Sequence, residues 1–172
     1  LTPYHQHNEH KVVEHLVSQL SAGKNIALIT DAGSPGISDP AFLLVRACKA
    51  AGVEVTSLPG ATAFVPALTN SGLPASSFVF EGFIPLKKGK KTLMESLANE
   101  ERTMIFYESP MRLVKTLELF KEYFGADRKA AVSRELTKIY EENITDTLDN
   151  LITHFSAKQV KGEIVIIVAG KE

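Results

Sequence analysis

The sequence predicts an α/β protein, built as two α/β domains. Short apolar runs alternate with longer amphipathic ones from end to end, and turns bearing glycine or proline separate them. The apolar runs are rich in Val, Ile and Phe and mostly lack polar alternation, the pattern of strands covered by helices on both faces.

The first helix is expected over Asn8–Ala22, where Val12, Val13, Leu16, Val17 and Leu20 form one stripe before Gly23. A strand over Ile26–Thr30 follows, then a helix over Pro40–Ala51. Asp39 is suited to accept the free N–H groups of that helix's first turn, Pro40 to fill its first position, and Gly52 to end it. A second strand spans Val53–Leu58, a helix covers Thr62–Asn70, and a third strand covers Phe78–Phe83. Past EGFIPLKKGKK, a helix over Lys91–Asn99 leads to a strand over Thr103–Tyr107. Ser109-Pro110 and Gly125 repeat the start and stop signals around a helix bearing Leu113, Leu117 and Phe120. Strands over Ala130–Ser133 and Glu163–Val168 flank a last helix over Leu148–Phe155. The run Glu81–Lys91, with four lysines within five residues, is the expected domain boundary, giving domains 1–84 and 85–172. Each then holds about three strands, fewer than the roughly four to six of a typical sheet, and the first domain reads as incomplete.

The composition sets outer limits. With 172 residues, 44% hydrophobic and 23% charged, the chain is of globular type, and disorder, collagen and disulfide scaffolds are excluded. Nineteen basic and 20 acidic side chains leave a formal charge of −1, so contact with nucleic acid requires a local patch. The single cysteine, Cys48, has no partner for an internal disulfide and reads as a small core residue on a helix face. No charged leader precedes an apolar run, and no stretch approaches the ~20 apolar residues of a membrane span. A reducing cytoplasm is the expected setting.

Chemistry concentrates at strand ends. In IALITDAGSPGISDP an apolar run ends at Asp31, passes Gly33 and Gly36 with Pro35 between them, and enters a helix. Loops of this kind lie where open α/β sheets bind ligands, although the same segment also serves as a plain strand-to-helix turn. Neither G-x-x-x-x-G-K-[ST] nor G-x-G-x-x-G is present, so a ligand held by backbone groups and an apolar wall is favoured over one held by its phosphates. A second loop, Leu58–Ala63, offers small residues and the Thr62 hydroxyl, or simply caps a helix. Further strand ends carry Phe106-Tyr107-Glu108-Ser109-Pro110 and Ser133-Arg134-Glu135-Leu136-Thr137-Lys138, whose ions are equally suited to pair with each other.

The ordered set DAGSPGISDP, LPGATA, SGLP, FEGFIP, FYESPMR, SRELTK and GEIVIIV resembles the ribosomal RNA small-subunit methyltransferase I family of the tetrapyrrole methylase superfamily. The resemblance implies two α/β domains with a cofactor cleft between them. It also implies that this chain lacks the first strand and helix of its first domain. The implied activity is methylation of the ribose 2′-oxygen of a cytidine in small-subunit ribosomal RNA, with S-adenosylmethionine as donor. By resemblance the cofactor contacts fall on Asp31, Ala32, Gly33, Ser34 and Pro35, on Thr62 and Ala63, on Phe106 and Tyr107, on Arg134, Glu135 and Leu136, and on Gly162 and Glu163. This donor carries no phosphate, which accounts for the missing cradles.

Glu81, Glu108, Glu135 and Lys138 are candidates to assist loss of the hydroxyl proton. Lys87, Lys88, Lys90 and Lys91 are candidates for RNA phosphate contact, or form an ordinary solvated loop. His5, His7 and Asn8 are further candidates for RNA contact, and no metal site is expected from the histidines. A homodimer is implied by the superfamily. Two other readings stay open: a porphyrin or corrin C-methyltransferase of the same superfamily, and a noncatalytic binding module.

Overall fold

The computed structural model describes residues 1–171. Helices α1 (Glu9–Ser21), α2 (Phe42–Ala50), α3 (Phe64–Ser71), α4 (Lys90–Leu97), α5 (Leu113–Phe124) and α6 (Leu148–Ser156) accompany strands β1 (Phe78–Phe83), β2 (Thr103–Glu108), β3 (Lys129–Arg134), β4 (Glu142–Thr147) and β5 (Ile164–Val168). Packing divides the chain into two compact units, Leu1–Thr62 and the remainder from Ala63. The boundary expected after residue 84 falls between β1 and α4, inside the second unit.

In the first unit, α1 packs on α2 around Leu16, Leu44 and Cys48, with Val13, Val17, Val53 and Val55 against them. Val13, Leu16, Val17 and Leu20 belong to the stripe read from the first helix, and Cys48 is a small core residue on α2. The strands expected over Ile26–Thr30 and Val53–Leu58 do not form. Neither segment has a ladder partner among the described residues, and without one an extended run gains no strand hydrogen bonds. Ile29 and Leu58 accordingly stand 71% and 80% exposed. Asp39 and Pro40 do not start α2: the helix begins at Phe42 after Ala41, with no side-chain cap. Ser38, left-handed at φ 66°, turns the chain just before Asp39 and so displaces the start.

The second unit holds one five-stranded sheet in the order β1-β2-β5-β3-β4. Only β1 and β2 are parallel; β5 runs antiparallel to both β2 and β3, and β4 antiparallel to β3. All five residues of β5 are buried. Its alternate side chains divide between two cores: Ile164, Ile166 and Val168 pack with α4, α5 and α6, while Val165 and Ile167 pack with Ala67 and Leu68 of α3. Helices thus cover both faces, as the unalternating composition demanded.

β4 was not foreseen. Its sequence ENITDT packs one apolar side chain, Ile144, against the core and is otherwise polar, the economy of an edge strand. Helix α5 starts at Leu113 after Arg112, not at Pro110. Ser109 instead closes a turn, its carbonyl accepting the Arg112 N–H at 3.0 Å. No helix among the described residues is long and apolar enough to cross a membrane.

Candidate functional site

Within the first unit the two glycine loops meet. The Ser34 hydroxyl donates to the Ala61 carbonyl at 3.1 Å. A Cβ on Gly60 would lie 3.0 Å from Ser34 Oγ, and one on Gly33 would lie 3.6 Å from the Ala61 oxygen. Gly33 also adopts φ +73°, where a side chain is strained. Before the loop, the Thr30 hydroxyl donates to the Ala32 carbonyl at 2.6 Å and accepts its N–H at 3.0 Å, stiffening the entry. Asp31, Ala32, Gly33 and Pro35 are exposed, and Ser34 and Thr62 half-buried. The N–H groups of Gly33, Ser34 and Gly60 have no partner among the described residues. The loops therefore present backbone donors that no group among the described residues takes up.

Within the second unit, β1, β2 and β3 end at the margin where β5 begins, because Glu108 and Arg134 both stand opposite Ile164. The side chains there do different work. Phe106 faces the α5 core, fully buried, with its ring 4.7 Å from that of Phe120. Tyr107 points to the other face, between Phe80 at 5.1 Å and Phe83 at 5.6 Å. Of this pair, only Tyr107 leaves a ring accessible at the margin. Ala63, exposed, precedes α3, and Leu136 packs beside Ala131 and Val165.

Among the candidate proton acceptors, Glu108 is committed to the fold. Its carboxylate accepts from Arg112 Nε at 2.7 Å, Arg112 Nη2 at 2.8 Å, the Thr116 hydroxyl at 2.6 Å and the Ser109 N–H at 2.6 Å. Glu135, left-handed at φ 50°, exchanges backbone bonds with Glu163: its N–H donates to the Glu163 carbonyl, and its carboxylate accepts the Glu163 N–H, both at 2.9 Å. That N–H, then the Lys138 ammonium at 3.0 Å, holds the Glu135 carboxyl below the usual range. Lys138 also reaches Glu163 at 3.0 Å, and its hydrogen bonds to Glu135 and Glu163 raise its pKa. A lysine so held stays charged at neutral pH and fixes carboxylates instead of accepting protons. A Cβ on Gly162 would fall 2.4 Å from the Glu135 side chain, so this glycine lets Glu135 cross it. Arg134 bonds Glu142 and the Lys161 carbonyl, each at 3.2 Å.

Glu81 differs from these. The ladder of β1 slips between Phe80 and Gly82, leaving Glu81 as the extra residue of a bulge. It is half-buried, and its carboxylate has no hydrogen-bond or ionic partner among the described residues. A bulge of this kind bends its strand and re-aims the extra side chain. Ser38, Glu135 and Thr137 are the non-glycine residues at positive φ among the described residues, and each lies in a loop singled out by its sequence.

The lysine loop follows β1. Lys87, Lys88 and Lys91 are exposed and Lys90 half-buried; Lys91 pairs with Glu95 at 3.7 Å. His5, His7 and Asn8 lie before α1, where the Asn8 side chain accepts the His5 N–H at 2.8 Å and donates to the Pro3 carbonyl at 2.9 Å. Asn8 thus shapes its own turn. The sequence reading passed over Arg112, whose spacing of four from Glu108 was the available signal, and Thr30, for which no signal stood out.

Glycine loops without a phosphate cradle in the first unit, and polar turns gathered on one sheet margin in the second, mark an α/β protein of open-sheet type. The sequence profile of the Tetrapyrrole (Corrin/Porphyrin) Methylases matches residues 2–152. Proteins named ribosomal RNA small subunit methyltransferase I are similar throughout: that of Synechocystis is 48% identical over 97% of this chain and 60% of its own length. The Xylella fastidiosa protein is 47% identical over 99% and 63%, and the Thermotoga maritima protein 40% identical over 100% and 77%. The chain belongs to the tetrapyrrole methylase family, in the branch of these ribosomal RNA small subunit methyltransferase I proteins. It spans about three fifths of the length of the first two relatives. Among solved structures, the methyltransferase CobJ shares the fold at TM-score 0.67 with 23% identity, over 92% of this chain and 70% of its own. A uroporphyrin-III C-methyltransferase of Thermus thermophilus, solved with S-adenosylhomocysteine, shares it at 0.62 with 16% identity, over 94% and 73%.

Proposed function

We propose that this chain is part of a methyltransferase that uses S-adenosylmethionine to methylate the ribose 2′-oxygen of a cytidine in small-subunit ribosomal RNA. The observation that carries the reading is the meeting of the two glycine loops through Ser34 and Ala61, at a surface that a Cβ on Gly60 would crowd. Uncharged backbone donors suit a ligand that offers adenine and carboxylate acceptors but no phosphate. When bound, the cofactor supplies a methyl group already activated on a sulfonium.

The reading assigns its contacts to Asp31, Ala32, Gly33, Ser34, Pro35 and Thr62, and to Ala63, Tyr107, Arg134, Glu135, Leu136, Gly162 and Glu163, with Phe106 contributing backbone only. The chain's residues then have two tasks, to align the acceptor hydroxyl and to take its proton. Alignment is worth on the order of 7–11 kcal/mol and a general base about 3–5 kcal/mol. Glu81 is the carboxylate free to act as that base. Lys87, Lys88, Lys90 and Lys91 meet RNA phosphates, with His5 and His7 as further contacts. A cytoplasmic homodimer belongs to the same reading, and light scattering tests the dimer.

Calorimetry with S-adenosylmethionine tests the cofactor site. Gly33→Val, strained at positive φ, is expected to weaken binding by at least roughly tenfold; unchanged affinity removes the loop from the site. Glu81→Gln is expected to lower methyl transfer to RNA about 10²–10⁴-fold with cofactor affinity intact. Labelled-donor assays on RNA against a porphyrinogen separate this reading from tetrapyrrole C-methylation, over which the 40–48% identities to ribosomal RNA methyltransferases favour it.

A further inference from the structure

We infer that a basic cleft in the second unit, between the loop after β1 and helix α5, holds one phosphate of the RNA strand; the inference rests on the RNA reading above. The cleft has a volume of about 120 Å³. Lys90, Arg112 and Lys115 line it, with Ile84, Leu86 and Leu119 as an apolar wall, and no acidic side chain among the described residues lines it. Three cations beside an apolar surface match a sugar-phosphate: the phosphate meets the charges and the ribose lies on the aliphatic wall. The space admits a phosphate with part of a sugar.

Arg112 is built for this task. Its Nε and Nη2 are fixed by buried Glu108, and Nη2 also donates to the Ile84 carbonyl at 3.2 Å. Nη1 is left without a partner among the described residues. A guanidinium held on one side by a buried carboxylate presents its free side without further ordering, which reduces the entropy lost on binding. Lys115 is exposed and has no ionic partner among the described residues, and Lys90 rises from the first turn of α4. Their charges are therefore not neutralised at home. The cleft extends the lysine loop into a site with a floor, walls and an oriented donor, and it brings in two residues of the α5 region that the lysine run alone does not indicate.

The test is fluorescence anisotropy of this chain with a labelled single-stranded RNA oligonucleotide, titrated across salt, for Lys90→Ala, Lys115→Ala and the double variant. Losing one phosphate contact lowers the salt slope by about 0.7 and weakens binding about fivefold at 0.1 M salt. Because both lysines serve the same phosphate, the double variant is expected to lose about one contact in slope, not two, with melting temperature and S-adenosylmethionine affinity unchanged. Wild-type affinity and slope in Lys115→Ala, alongside weakened binding when Lys87, Lys88 and Lys91 become Ser, overturn the cleft and leave the RNA reading standing. Slopes that add as two separate contacts also overturn it. No RNA binding by the unaltered chain overturns both, while retained cofactor binding keeps the methyltransferase reading apart. Competition by inorganic phosphate as effective as that by unlabelled RNA makes the cleft a free-phosphate site and ends the RNA assignment.

Discussion

The first unit packs two helices around Leu16, Leu44 and Cys48, whereas the second encloses a five-stranded sheet between two cores with Phe106, Phe120 and Phe155 fully buried. Extended apolar segments stay unpaired in the first, and the corresponding segments in the second are paired and covered. The polar loops follow the same division. In the first unit they offer bare backbone stiffened by Thr30 and Ser34; in the second they offer charged side chains already tied to one another. Backbone donors and anchored ions are two ways to preorganise a site, and each suits the rigidity of what lies beneath it.

The largest expected effect tests the difference in packing. Phe120→Ala in the second unit removes a ring that contacts Phe106 and Phe124, at a cost of about 3–5 kcal/mol. Leu44→Ala in the first is expected to cost about 2 kcal/mol, the low end for such truncations, because half-buried neighbours can collapse onto it. Hydrogen exchange read separately on β5 and on α1 checks both. Equal losses would mean that the two cores are equally tight.

Much of the helical pattern was legible in the sequence, and the failures have physical causes. All six helices were found within a few residues, since a stripe such as Leu113, Leu117 and Phe120 has no other use. Local signals cannot supply a strand's partner, so Ile26–Thr30 and Val53–Leu58 read as strands although each lacks a neighbour to pair with here. The reverse error hid β4, which borrows its order from β3 and carries a single inward apolar residue. The loops were legible as glycine and charge, but the choice of which among Glu81, Glu108 and Glu135 stays unpaired was not. That choice depends on partners, and the partners of Glu108 come from α5.

A second effect concerns those partners. Glu108→Ala leaves Arg112 and Thr116 without their buried acceptor and is expected to cost about 3 kcal/mol, read as a lower urea midpoint. Glu95→Ala, which removes only an exposed partner of Lys91 at 3.7 Å, is expected to change stability by less than about 0.5 kcal/mol. If the two variants unfold alike, the ion pair beneath the margin is no firmer than a surface contact, and the preorganised Arg112 donor loses its basis.

A more modest effect is a pH dependence in the second unit, at Glu142. Burial pushes this carboxyl up, but hydrogen bonds from Lys158, His154 and Arg134 outweigh burial and hold it at about 2. A carboxyl whose folded pKa is depressed stabilises the fold above its unfolded pKa of about 4.5, and that contribution is lost as pH falls from there through about 2. Part of the side chain remains in contact with solvent, so screening reduces the contribution to about 1 kcal/mol. Glu142→Gln is therefore expected to be less stable than the unaltered chain at pH 7, with the gap closing toward pH 2. Urea midpoints of the two proteins, followed by a probe on β4, measure the gap. A gap that persists at low pH means that Glu142 acts through shape and neutral hydrogen bonds, and that Arg134 owes its position to the Lys161 carbonyl instead of to charge.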